Sequence, residues 1–122
     1  MDIEAWINKD ALERTQSLIT RPIAPMIEQF FDDVAGHISA IGEKIATSDM
    51  EGVSFAAHTI KSPSESLGAS QLCEAARTLE ASAESYATHQ DIERVATDYT
   101  HLQEMMEKTQ AAYRAAGYCS DL

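Results

Sequence analysis

Phe55-Ala56-Ala57-His58-Thr59-Ile60-Lys61-Ser62-Pro63-Ser64-Glu65-Ser66-Leu67-Gly68-Ala69 decides the fold, because its apolar and polar positions separate when it is wound as a helix. With His58 set at zero and about 100° per residue, Val53, Ala56, Ile60 and Leu67 fall roughly 140–180° away. The imidazole is therefore expected to face water. Within about 60° of it on the same wheel come Glu51, Ser54, Phe55, Lys61, Ser62 and Glu65, a polar patch with one aromatic at its edge. Ser48-Asp49-Met50-Glu51 reads as a capping box that opens this helix, and Gly68 as the left-handed residue that closes it. Pro63 removes the backbone bond to the Thr59 carbonyl and is expected to bend the helix just past His58.

Upstream, Thr20-Arg21-Pro22 marks a helix start, since proline lacks an amide only where none is needed. Ile27, Phe30, Phe31, Val34, Ile38, Ile41 and Ile45 then repeat by threes and fours to about residue 46. Before that helix, Ile3, Trp6, Ile7, Leu12, Leu18 and Ile19 give a less regular pattern over residues 2 to about 18. It is interrupted at Asn8-Lys9-Asp10, where Asp10 is expected to cap a second helical piece. Downstream, Ser70 is the expected cap of a helix running to about Thr88, with Leu72, Cys73, Ala76, Leu79, Ala83 and Tyr86 inward. Asp91 opens the last helix, with Ile92, Val95, Tyr99, Leu102, Met106 and Tyr113 inward, ending near Gly117. The tail to Leu122 is expected to fray. Four long amphipathic helices with short connections predict an all-α, antiparallel four-helix bundle with an additional N-terminal helix. The whole of 1–122 reads as one domain.

The chain has 122 residues, a net charge of −11 and a pI near 4.6. That balance argues against nucleic acid or an anionic membrane surface as partner, since both call for a cationic face. Cys73 and Cys119 suggest no disulfide framework. No signal-peptide pattern and no run of about 18 apolar residues is found. A cytoplasmic monomer is the expectation.

A lone exposed histidine is most simply an ordinary surface residue. Lys61, one turn further along the same face, places an ammonium beside the imidazole, which opposes imidazolium formation and would neutralise an anion attached to the ring. A neutral imidazole is a nucleophile. Ala57-His58-Thr59-Ile60-Lys61, followed by Leu67-Gly68-Ala69, Leu72-Cys73 and Leu79-Glu80, resembles the histidine phosphotransfer (HPt) domain family of multistep two-component phosphorelays.

The resemblance implies a helical bundle in which His58 accepts a phosphoryl group from the aspartyl phosphate of a receiver domain and passes it to another receiver. It implies Lys61 as charge compensation and Glu80 as the side chain that orients the imidazole. Glu51, Ser54, Phe55, Ser62 and Glu65 then become the partner-binding patch. The partners implied are receiver domains of a hybrid sensor kinase and of response regulators. No cofactor is expected on this chain, and Mg²⁺ is expected in the partner receiver. The chain departs from the family where glycine usually follows the lysine: Ser62 stands there, and then Pro63, which bears on docking geometry.

The sequence has no Gly-rich phosphate loop and no kinase ATP-site motif, so no ATP-dependent kinase activity of its own is expected. His37, His89 and His101 stand at no metal-ligand spacing, and no metal is expected. Met105-Met106 reads as core. The rival reading is a non-catalytic helical adaptor that docks a signalling protein through the His58 patch.

Overall fold

The computed structural model describes residues 2–119, and the expected fraying of the tail to Leu122 falls partly outside them. Among the described residues lie six α-helices: α1 (Ile3–Trp6), α2 (Lys9–Leu18), α3 (Ile23–Ala46), α4 (Met50–Ser66), α5 (Ser70–His89) and α6 (Ile92–Ala115). Each of the last four packs on its chain neighbour, and α3 also touches α6, so the four close into an antiparallel bundle. The additional N-terminal helix is broken into two pieces where the interruption at Asn8-Lys9-Asp10 is expected. The short α1 rests on α5 and α6, and α2 rests on α4.

The core follows the helical periodicity. Ile27, Phe30, Phe31, Val34, Ile38 and Ile41 of α3 are buried, as are Val53, Ala56, Ala57 and Ile60 of α4. Leu72, Cys73, Ala76, Leu79 and Ala83 bury one face of α5, while Val95, Leu102, Met105, Met106 and Tyr113 do so on α6. Two residues of the expected stripes turn outward: Leu18, at the end of α2, and Ile92, at the start of α6. Terminal positions have a neighbouring turn on one side only, so periodicity constrains them least. Gly42 lets α3 and α6 meet: a Cβ there would stand 2.7 Å from the Tyr99 hydroxyl, which donates to the Ile38 carbonyl at 3.1 Å.

The caps lie near the expected places, shifted by one or two residues. Asn8, and not Asp10, caps α2 by accepting from the Ala11 amide at 3.1 Å. Asp49 caps α4 through the Gly52 amide at 2.9 Å. Ser48 instead takes a left-handed φ of 58° that ends α3, with the amides of Ser48 and Asp49 donating back to Ile45 and Lys44. Ala69 occupies the cap position of α5 with no side-chain bond, and Ser70 is already helical. Asp91 caps α6 as expected, accepting from the Arg94 amide at 3.0 Å. Pro22 stands just before α3, and α4 remains helical across Pro63 to Ser66.

The α4–α5 turn is the most heavily tied connection in the bundle. Gly68 has a φ of 82°, and the amides of Gly68 and Ala69 donate to Glu65 and Ser64. Three residues from elsewhere in the chain then hold the turn's carbonyls. Thr15 donates its hydroxyl to the Ser66 carbonyl, the buried Tyr113 hydroxyl donates to Leu67 at 2.6 Å, and the Asn8 amide donates to Gly68 at 2.7 Å. Burial pushes the Tyr113 phenol far above its usual pKa, so it stays a donor.

Two stability measurements follow from this turn. Leu67→Ala should cost about 2–5 kcal/mol for a fully buried leucine. Tyr113→Phe leaves the Leu67 carbonyl short of a partner and should cost about 1–3 kcal/mol, read as a lower urea midpoint. An unchanged midpoint for Tyr113→Phe would show that the hydroxyl does not hold the turn.

Candidate functional site

The buried stripe of α4 fixes what its opposite side displays. Val53 and Ile60 are fully enclosed, and the His58 side chain remains 65% exposed. Glu80, the first residue after the buried Leu79 on α5, reaches across the groove between the two helices. Its Oε2 lies 2.7 Å from His58 Nδ1 and its Oε1 accepts from Lys61 Nζ at 2.6 Å. The carboxylate is the deepest member of this triad, with a side-chain exposure of 14% against 25% for Lys61.

An ionised carboxylate can only accept hydrogen bonds, so the proton of this contact resides on Nδ1. In the neutral ring Nε2 is then the nitrogen with a lone pair, on the edge of the imidazole away from Glu80. Burial pushes the Glu80 carboxyl pKa up, but the hydrogen bonds from Lys61 and His58 and their charges outweigh burial and hold it below the usual carboxylate value. The arrangement is an exposed imidazole held by a carboxylate at Nδ1, with an ammonium tethered to the same carboxylate one turn away.

A shallow hollow of about 520 Å³ adjoins the ring. Of the residues placed near His58 by the helix wheel, it gathers Glu51, Ser54 and Phe55, the last 74% exposed. Ser62 and Glu65 are exposed but do not line it. They border the cleft toward α2, with Arg14 and Leu18. The wheel measures angle and not distance along the axis, and these two residues lie a turn or more past His58. Lys61, expected to be exposed, is half-buried because its ammonium turns toward α5. The hollow also includes Met50, Ala83, Glu84, Tyr86 and Ala87, which the sequence reading left out of the site. Glu84 accepts from the Ser54 hydroxyl at 3.4 Å, and its signal in the sequence was its place one turn after Glu80.

A larger groove of about 720 Å³ lies between α3 and α4 and is lined by Met26, Phe30, His37 and Pro63 among others. His58 is not part of it. Among the described residues no group of three or more His, Cys, Asp or Glu is placed to hold a metal ion, and no helix is long and apolar enough to cross a membrane.

A family model described as the Hpt domain matches residues 25–112, a span that holds nearly all of α3, the whole of α4 and α5, and most of α6. Nothing matches among curated proteins or among solved structures.

The lowered Glu80 pKa fixes the sign of one pH dependence. A carboxyl depressed on folding stabilises the folded state above its unfolded pKa, here 4.5, and that contribution is lost as pH falls through the lower folded value. The stability gap between wild type and Glu80→Gln, measured by urea unfolding, should therefore be greatest near neutrality and narrow below pH 4.5. A gap that is constant across this range would remove the charge of Glu80 from the account.

Proposed function

This chain belongs to the Hpt domain family, and on that premise we propose that His58 is the phosphoacceptor that takes a phosphoryl group from a receiver's aspartyl phosphate and hands it to a second receiver. Histidine phosphotransfer within a phosphorelay is what membership in this family means. The observation that carries the assignment to His58 is the 2.7 Å contact of its Nδ1 with Glu80 on an otherwise exposed ring. It orients the ring with Nε2 on the edge away from Glu80, where a neutral imidazole carries its lone pair.

Phosphoryl transfer asks a protein mainly to position groups and to compensate charge. Lys61 supplies the compensation. Its tether to Glu80 keeps the ammonium on the His58 side of α4, and an incoming phosphoryl group offers it a second set of oxygens. Glu80 orients the ring as a positioning residue. The receiver brings the acidic cluster and Mg²⁺ that hold the phosphoryl group while it is in flight.

Glu51, Ser54 and Phe55 form the near part of the docking surface. Phe55, a large aromatic left in water beside the nucleophile, is the anchor. Ser62 and Glu65 form its far part, toward α2. Receivers of a hybrid sensor kinase and of response regulators are the partners, met by a monomer in the cytoplasm.

A phosphorylated receiver mixed with the purified chain tests this directly. Transferred label should be acid-labile and alkali-stable, and absent from His58→Gln. Lys61→Ala should slow transfer roughly tenfold, less than the 10²–10³ typical of a donor in an enclosed site, because this site is open to water. Failure of every receiver of the same cell to label His58 would favour docking without chemistry.

A further inference from the structure

We propose, on the reading that His58 carries the phosphoryl group, that Glu80 keeps the Nδ1 proton on the ring through both halves of the transfer, so that His58 is held as a phosphoimidazolium and leaves as neutral imidazole. The balance of the step makes this possible. In the first half the Nε2 lone pair forms the N–P bond, and the P–O bond to the receiver's aspartate breaks with its electron pair on the carboxylate. No proton moves. The ring becomes a cation that retains Nδ1–H against Glu80 Oε2, 2.7 Å away.

In the second half an oxygen of the next aspartate forms a bond to phosphorus, and the N–P electron pair returns to Nε2. With Nδ1 protonated the leaving group is neutral imidazole. Without that proton it would be an imidazolate, which is far more basic and a much poorer leaving group. The Nδ1 proton therefore sets how readily the phosphoryl group departs, to a receiver or to water.

The charges around the ring favour retention. On α5, Glu80 touches Nδ1, and Glu84 lines the same hollow. On α4, Glu51 lines that hollow, while Lys61 opposes a cationic ring and shares the Glu80 carboxylate through Oε1 at 2.6 Å. The hydrogen bonds that hold Glu80 below the usual carboxylate pKa keep it an acceptor across the neutral range. Glutamine at this position would still fit the space and accept a hydrogen bond, but it would bring no negative charge to a cationic ring. Glutamate thus does more than fix a tautomer.

The test uses the full chain, labelled with ¹⁵N-histidine and phosphorylated at His58 with phosphoramidate, so that it needs no receiver. The ring ¹⁵N shifts of the phosphorylated form are followed against pH, with His58→Gln to assign the signal, and the loss of phosphate is timed in parallel. Wild type should keep Nδ1–H to a pH about one unit above Glu80→Gln, the low end for an opposite charge because the ring is open to water. Near pH 8 the phosphorylated Glu80→Gln protein should then live about tenfold longer than wild type. Lys61→Met, which frees Glu80 to act on the ring alone, should move the wild-type proton loss to still higher pH. Equal titration and equal lifetimes in wild type and Glu80→Gln would overturn the proposal. Failure of receivers to label a chain that phosphoramidate does label would overturn the transfer role instead and leave this measurement standing.

Discussion

The register between α4 and α5 is the constraint on which the site depends. His58 and Lys61 lie 22 and 19 residues before Glu80 in the chain, yet one carboxylate meets both. A slide of one helix by a single turn, about 5.4 Å, would separate them. What prevents the slide is the left-handed residue at Gly68, the tight turn it permits, and the three donors that fasten the turn's carbonyls. Those donors come from α2, from the segment before it and from α6. The chemistry is displayed near the middle of α4, and its alignment is fixed at the end of that helix.

Exposure within the triad runs in a consistent direction. The imidazole is outermost, the ammonium intermediate, and the carboxylate deepest. On the proposed reading, the two groups that would contact a visiting phosphoryl group thus stand in front of the one that holds them. Such a depth order matters electrically, because the charge of Glu80 acts through a less polarisable setting than bulk water and is less readily screened by salt. The energetic stake is local. An unpartnered carboxylate at this depth is costly, so the two donors, His58 and Lys61, also serve the fold.

Much of this was legible in the chain. The outward face of His58 followed from the burial of Val53, Ala56 and Ile60, since a helix with one apolar stripe must turn its other side to water. The four long helices were legible for the same reason. Glu80 was reached through the family resemblance and not through periodicity, because the contact joins two helices and no local pattern encodes it. Glu84 and Tyr86 escaped for that reason, and Ser62 and Glu65 were grouped with the ring by angle although they border a different cleft. The caps slipped by small steps: Asn8 for Asp10, Asp49 for Ser48. Neighbouring Asn, Asp and Ser all suit a cap, and the choice among them is made by the turn that delivers the chain, which the sequence encodes only weakly.

The span matched by the family begins at residue 25, after the segment that supplies the Asn8 and Thr15 donors to the α4–α5 turn. In this chain the bonded unit is thus wider than the family outline, which also stops one residue short of the Tyr113 donor. A fragment trimmed to that outline would retain every atom of the triad and the greater part of each helix of the bundle, yet it would take from the Ser66, Leu67 and Gly68 carbonyls the three donors that fasten them. Boundaries drawn from kinship and boundaries drawn from bonding are different lines, and here the second lies outside the first at both ends.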